Sequence, residues 1–471
     1  MAVECETLLA RGTAQGRWVL AAAVLGSGMA MLDGTVVNIA LRTIGDDLGA
    51  SLAQLQWVVN AYLLALASLI LVGGSLGDHL GRRRVFMIGV GWFAVASALC
   101  GLAQSPGQLI AARLLQGVGA ALLTPGSLAM IQGSFRPADR GRVIGQWAGL
   151  GGIAAAIGPL LGGWIVENAS WRWIFLINVP VAAAVLLIAA RHVPESRDPQ
   201  AARSFDVLGA VLGVLALGGA TYALIEAPTA PRSVVVASAT VGVVSLVLFV
   251  VFERRHHDAL VPMHLFSSRT FSVANLLTLL VYGALGAMLF FLVLQLQVVT
   301  GWTPLAAGLS TVPLTVVMLL LSSRAGAFAQ KVGPRLPLTV GPALCGVGTL
   351  LLRQVGESTS YLTGVLPGML VFASGLVLLV APLTSSVLAA APDRFAGIAS
   401  GVNNAVARTG SLLAVSALPA VVGISGEDYQ RPEVFSAGYE MAQLICAVLL
   451  FAGALVAGLG LHSGAPANAD R

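Results

Sequence analysis

The chain has 471 residues, 57% of them hydrophobic and 10% charged, with a mean hydropathy of +0.88. Soluble domains carry about 25% charged residues, so the 26 basic and 21 acidic side chains cannot coat the several aqueous cores that such a length would need. Water-soluble globular, disordered and fibrous classes are excluded, which leaves a polytopic membrane protein.

Apolar stretches of about 18 to 25 residues recur, each long enough for a helix to cross roughly 30 Å of hydrocarbon. The alternating segments of about 10 residues that mark a membrane β-barrel are absent. The pattern predicts an all-α polytopic membrane protein with spans near 18–41, 55–73, 85–103, 107–131, 143–166, 173–190, 206–226, 233–252, 271–298, 305–322, 336–352, 361–390, 398–422 and 437–461, fourteen in all. No cleavable signal is expected: the first run starts at Trp18, is too long for a signal core and lacks a small-residue cleavage pattern.

Basic residues are retained in cytoplasmic loops. With both termini inside, nineteen of the 26 fall on the cytoplasmic side, five (Arg42, Arg172, Arg232, Arg353 and Arg431) fall outside, and Arg113 and Arg408 lie within spans. The expectation is a multi-pass protein of the cytoplasmic membrane with both termini in the cytoplasm. The net charge of +5 follows from this loop bias and calls for no nucleic-acid partner. Cys100, Cys345 and Cys446 lie in apolar runs and Cys5 near the N-terminus, without metal-like spacing. His256 and His257 read as part of a solvated basic loop. No metal or other cofactor is expected, and no catalytic group either, since no nucleophile has a base beside it.

Two segments repeat each other weakly. GGSLGDHLGRRR (Gly73–Arg84) joins spans two and three, and RAGAFAQKVGPR (Arg324–Arg335) joins spans ten and eleven. Gly74 to Gly81 and Gly326 to Gly333 have the same spacing, and basic residues follow both. The repeat divides the chain into an N-terminal six-helix half (1–190), a linker with two extra spans (191–270) and a C-terminal six-helix half (271–471). Transporters whose halves rock about a central site have this doubled plan.

Asp33 is the clearest acid inside an apolar span, roughly 22 Å along the first helix from Trp18 at 1.5 Å per residue. A carboxylate at bilayer depth persists only where it faces protein or water, and leaving bulk water favours the neutral acid in general. Asp33 is therefore a candidate for proton coupling or for binding a cationic substrate; a structural acceptor near the outer end of the span is the other reading. Span five is dense in small residues, with Gly158, Pro159, Gly162 and Gly163 in succession and Pro159 expected to interrupt the helix. Trp57, Asn60 and Tyr62 in span two, Tyr222 with Glu226 in span seven, Gln295 and Gln297 in span nine, and Asn404 with Arg408 in span thirteen could line a cavity. Packing roles fit each of these equally well.

The loop segment Gly73–Arg84 resembles the loop motif of the major facilitator superfamily, LIAARLLQGVGAA (Leu109–Ala121) its fourth-span motif, and IGPLLGG (Ile157–Gly163) the fifth-span motif associated with antiporters. LDGTVVNIAL (Leu32–Leu41), WRWIFLINVP (Trp171–Pro180), GWTPLAAGL (Gly301–Leu309) and AGIASGVNNAVARTG (Ala396–Gly410) resemble the fourteen-span drug:proton antiporter branch. The chain departs from the pattern at Ala154, where the fifth-span motif often has glycine, and at Gln330, where the first loop copy has Asp78.

The resemblance implies a major facilitator fold and proton-coupled efflux of hydrophobic, cationic or amphipathic drugs or antibiotics by a monomer surrounded by lipid. It implies that Arg113, like Asp33, belongs to the proton coupling, favouring the ionised form of a neighbouring carboxyl in one conformation and leaving it in another; an arginine snorkelling to the outer interface is the plainer reading. Gln116 and Gly117, next to it on the helix, would let a neighbouring helix approach. The resemblance also implies that Gly74, Asp78, Gly81, Arg82 and Arg83 form a cytoplasmic latch between halves, and that span five seals and flexes their contact. A second transporter reading is a dedicated exporter of one self-made antibiotic or lipid-like metabolite. A membrane sensor or enzyme is the reading from another class, and it lacks both an appended soluble domain and a catalytic cluster. No phosphate-cradling loop points to ATP as the energy source.

Overall fold

The computed structural model describes residues 8–197, 206–256, 259–392 and 395–461; Cys5 and His257 lie outside them. Its long helices are α1 (Ala14–Leu48), α2 (Leu52–Leu80), α3 (Arg82–Gly101), α4 (Pro106–Ser134), α5 (Pro137–Asn168) and α6 (Trp173–His192, interrupted at Ile177). They continue with α7 (Val207–Glu226), α8 (Arg232–Arg255), α9 (Arg269–Val298) and α10 (Pro304–Val332, interrupted at Thr311). The last four are α11 (Arg335–Leu352), α12 (Tyr361–Ala389), α13 (Ala396–Val421) and α14 (Pro432–Gly460). Thirteen of them are long and apolar enough to cross a membrane. The exception is α13, whose apolarity is reduced by Asn403, Asn404 and Arg408.

Local chemistry sets the ends. Thr13, Ser51, Ser105, Asp206, Ser268 and Thr303 cap α1, α2, α4, α7, α9 and α10, each side chain accepting from an otherwise orphaned amide. Ser51 and Gln54 close a reciprocal capping box. Pro106 and Pro304 occupy first-turn positions where no amide is needed.

The expected loop between spans two and three is corrected. Gly73 to Leu80 continue α2, and the chain turns at Gly81, whose φ of 114° excludes side chains with a Cβ. Gly74 is thus helical and takes no part in a turn. The copy behaves alike: Arg324 to Val332 belong to α10, and Gly333 makes the break at φ 80°. Hydrogen bonding along an apolar helix end outweighs glycine's preference for a loop until a positive φ is required. Pro159 does not interrupt α5 either, which runs through it from Pro137 to Asn168.

Pairing within α1–α6 recurs within α9–α14. Helix α4 packs on α2 and α3 as α12 packs on α10 and α11, and α1 packs on α5 and α6 as α9 packs on α13 and α14. Close passage relies on small residues, because lipid provides no hydrophobic drive between helices. A Cβ on Gly158 or Gly162 of α5 would collide with Thr35 or Val36 of α1. The α7–α8 hairpin lies against α2 and α13, and most of α8 faces outward. Asp206 Oδ1 accepts from the Gly209 amide at 2.7 Å, and Glu253 Oε2 accepts from the Val261 amide at 2.9 Å, tying the open end of the hairpin to the segment before α9.

Hydrogen bonds between the two groups gather at one end, that of the α1–α2 turn. Leu52 N donates to Gly426 O, Tyr429 Oη to Ala50 O at 2.9 Å, and Gln297 Nε2 to Ile39 O at 2.9 Å. Gln56 Nε2 reaches Val415 O at 2.7 Å, and Asn60 Nδ2 reaches Ser416 Oγ at 3.0 Å. There α5 and α10 touch backbone to backbone: a Cβ on Gly163 would lie 2.7 Å from Leu305 Cα, and one on Gly308 would strike the Pro159 carbonyl. At the other end of α5, Gly145, Gly149 and Gly152 have open space around them.

Candidate functional site

Helix α1 buries a strip at three- and four-residue spacing that includes Gly26, Ala30, Asp33, Val37 and Leu41. A comparable strip on α4 holds Leu109, Ala112, Arg113, Gln116 and Ala120. Helical periodicity therefore turns Asp33, Arg113 and Gln116 inward, and the packing of α1 on α4 brings them together.

The result is a closed polar cluster in which Asp33 and Arg113 are each 1% exposed. Arg113 Nη1 donates to Asp33 Oδ2 at 2.5 Å and to Gln116 Oε1 at 2.6 Å, while its Nε donates to Val58 O at 3.0 Å. Gln116 Nε2 donates to Asp33 Oδ1 and to Ser97 Oγ, both at 2.8 Å. Asn178 of α6 adds a donor to Asp33 Oδ1 at 3.3 Å. The guanidinium lies 4.4 Å from the Tyr62 ring centroid and 5.7 Å from that of Phe175, a cation–π arrangement on both sides. Tyr62 is anchored in turn by donation from its hydroxyl to Ala30 O at 3.3 Å.

An ion pair removed from water survives only with its remaining hydrogen-bonding capacity satisfied. Here α1, α2, α3, α4 and α6 all contribute to that satisfaction. A proton arriving at Asp33 would cancel its attraction for Arg113 and leave the arginine held by Val58 O, Gln116 and two rings.

The remaining sequence candidates disperse. Asp78 pairs with Arg82 one turn on, at 3.0 and 2.9 Å, inside the same corner. Arg83 donates to Val193 O at 3.0 Å, while Glu195 accepts from the Arg83 and Arg84 amides at 3.0 and 3.2 Å and so caps α3. Asn60 and Gln295 are fully buried: the Asn60 amide nitrogen donates to Ser416 Oγ, and that of Gln295 to Val355 O and Ser436 Oγ. Tyr62 is taken up by Arg113. Trp57 turns toward α7, donating to Glu226 Oε1 at 3.0 Å beside the Tyr222 ring. Amides and indoles in apolar helices settle where a neighbouring helix offers a partner. Asn404 and Arg408 remain accessible. Gly117 lies where a Cβ would meet Tyr62 O at 2.5 Å, so α2 and α4 do approach there.

Sequence reasoning missed Ser97, Asn178 and Glu195. Asn178 sits inside the segment Trp171–Pro180 already singled out, but an asparagine in an apolar run says nothing of its partner. Ser97 had no signal at all. In the same segment, Trp171 Nε1 and Arg172 Nη1 both donate to Asp47 Oδ2, at 2.9 and 2.8 Å, which fixes the turn before α6 on the end of α1.

A family model described as Major Facilitator Superfamily matches residues 23–415. The chain is 35% identical over 409 residues to a multidrug resistance protein, Stp, of Mycobacterium tuberculosis, covering 86% of this chain and 75% of that one. It is 35% identical to the tetracenomycin C resistance and export protein of Streptomyces glaucescens, covering 85% and 74% of the two chains. Among solved structures, a POT family transporter in complex with a thioalcohol-conjugated peptide superposes with a TM-score of 0.73 at 14% identity, covering 96% of this chain and 98% of that one. That likeness concerns the fold.

Proposed function

The chain belongs to the major facilitator superfamily, and on that premise we propose that it exports hydrophobic or amphipathic drugs or antibiotics across the cytoplasmic membrane in exchange for protons. It is a transporter, and its relatives are named for multidrug and antibiotic resistance and export. The observation that carries the coupling is the Asp33–Arg113 pair, buried where five helices meet. A carboxylate kept at that depth is expensive and marks a proton or ion pathway by default.

In this reading all fourteen helices span, as two six-helix halves (1–190 and 271–471) with the α7–α8 hairpin inserted between them (191–270). Both termini are cytoplasmic, supported by the nineteen-to-five distribution of basic residues. The end at which the halves are bonded is then the outer one, and the opening lies toward the cytoplasm. Such a conformer takes substrate from the cytoplasm or inner leaflet. A proton reaching Asp33 from outside loosens the ion pair in the opposite conformer, and its release inward resets the pair. Helix α5, with Gly158, Pro159, Gly162 and Gly163 at the seam, is the element on which the halves roll. The Gly81 corner, with Asp78, Arg82 and Arg83, engages the other half only when the cytoplasmic side closes. The unit is a single chain in lipid.

The test is efflux in everted membrane vesicles under an imposed pH gradient. Dye extrusion that collapses with a protonophore and is absent from the Asp33→Asn variant supports the reading. Extrusion that persists in that variant removes Asp33 from coupling.

A second reading, a dedicated exporter of one antibiotic, draws support from the relative named for tetracenomycin C. A drug-susceptibility panel in a pump-deficient bacterium separates the two: protection confined to one compound class favours the narrow exporter.

A further inference from the structure

The charges inside the helical bundle do not balance in the way that a cation exporter would need. Asp33, buried near the middle of the bundle, is consumed by Arg113 and by amide donors from Gln116 and Asn178, and the other buried acids, Asp206 and Glu253, are bonded to backbone amides at the end of the α7–α8 hairpin. Arg408 stands near the middle of the 26-residue α13, at bilayer depth, and makes no hydrogen bond or ion pair with any described residue. A guanidinium cannot shed its charge, and a mid-span arginine persists where it faces water or an anionic partner.

Its direction follows from its neighbours on the helix. Gly401, Leu412 and Ser416 lie within a quarter turn of Arg408 on one side at 3.6 residues per turn, and Gly401 and Ser416 meet α2 at Leu71 and Asn60. On the other side, Asn403, Gly410 and Ser411 meet α9: Asn403 donates to Thr278 Oγ1 at 2.7 Å, and Ser411 donates to Tyr282 O at 2.8 Å. Arg408 therefore points between α2 and α9, into the space between the halves. Asn404, one helical turn before it, is exposed on the same face and uses its amide only weakly, to Ser400 O at 3.4 Å.

We propose that Arg408, with Asn404 beside it, is the binding site for an anionic oxygen of the exported molecule, so that the preferred substrates are amphipathic acids. The inference rests on the efflux reading above and narrows it. A planar guanidinium offers two parallel donors to a carboxylate or sulfonate. Cationic substrates meet an uncompensated positive charge instead.

Two probes with the same ring system test this: anthracene-2-sulfonate, permanently anionic, and anthracene-2-sulfonamide, which is neutral. Export of both is measured with the full chain in everted vesicles, with protein-free membranes as background. The wild type should move the sulfonate faster than the sulfonamide. Arg408→Gln should lower the sulfonate-to-sulfonamide rate ratio about tenfold, the size of one charge-assisted hydrogen bond, and Arg408→Lys should restore most of it. A wild-type ratio at or below one overturns the inference whatever the variants do, as does an unchanged ratio in Arg408→Gln or loss of both probes in it. If the wild type moves neither probe nor any dye of the panel, the efflux reading falls and the inference with it.

Discussion

Arg113 of α4 donates to Asp33, 80 positions earlier on α1, across 2.5 Å, in a place where neither side chain is exposed by more than 1%. The pair is asymmetric in its supports. Asp33 has further donors in Gln116 and Asn178, while Arg113 has a backbone carbonyl, the Gln116 carbonyl and the faces of two rings.

Removing one partner strands the other. Asp33→Ala or Arg113→Ala should each lower the stability of the purified protein by about 3–5 kcal/mol, because an uncompensated buried charge remains. The double variant Asp33→Asn with Arg113→Gln should recover most of that loss and still not transport. Thermal unfolding in detergent beside vesicle efflux checks both halves of the statement; additive losses in the double variant would contradict the pairing.

Conservative changes at Asp33 should divide by size and titration. Asp33→Asn keeps the volume and loses drug efflux driven by a pH gradient. Asp33→Glu keeps an acid but inserts a methylene into a filled site, with overpacking of about 1–3 kcal/mol, and should retain only a fraction of the rate. Arg113→Lys should do less harm than Arg113→Ala, although a lysine cannot reach Asp33 and Val58 O together. Rates are compared at matched expression.

The backbone seam between α5 and α10 should be intolerant of bulk. Gly308→Val drives a branched side chain into the Pro159 carbonyl, and should part the bonded end and populate the opposite conformer. Spin labels on α5 and α10 at each end, read by pulsed EPR, should show the seam widening and the open end narrowing. Unchanged distances with normal efflux would mean the seam does not gate.

Asp78→Asn should slow transport while leaving membrane insertion intact, since one lost charge barely changes hydropathy. Glu195→Gln weakens the cap on α3 and should act in the same direction but less. Normal efflux in Asp78→Asn would reduce the Gly81 corner to a topological anchor.

Topology has its own check. Reporter fusions at the segment around Arg254 and at the C-terminus should both report the cytoplasm; an external signal from either would overturn the orientation inferred from basic residues.

Helix positions were legible because an apolar segment in a bilayer has to satisfy its amides internally, so length and hydropathy alone place it; each of the fourteen expected segments falls on one of α1 to α14, although α1, α2 and α10 run well past the expected ends, to Leu48, Leu80 and Val332. A mid-span charge is legible for the same reason, being too expensive to occur without use, and Asp33 stood out in this way, while Arg113 drew its role from the family resemblance and Arg408 was one of several cavity candidates. Partnership is not legible. That Asp33 meets Arg113, that Ser97 and Asn178 complete the cluster, and that Asn60 and Gln295 are structural bonds depend on which helix faces pack together, and sequence separation carries no record of that. The Gly81 corner was misjudged for a local reason: a glycine-rich, charged segment suggests a loop, yet α2 continues through it because only one residue needs a positive φ. Sequence determined where the chain is helical and which charges are costly; tertiary packing alone decided which charge answers which, because that depends on distances of a few ångströms between helices far apart in the chain.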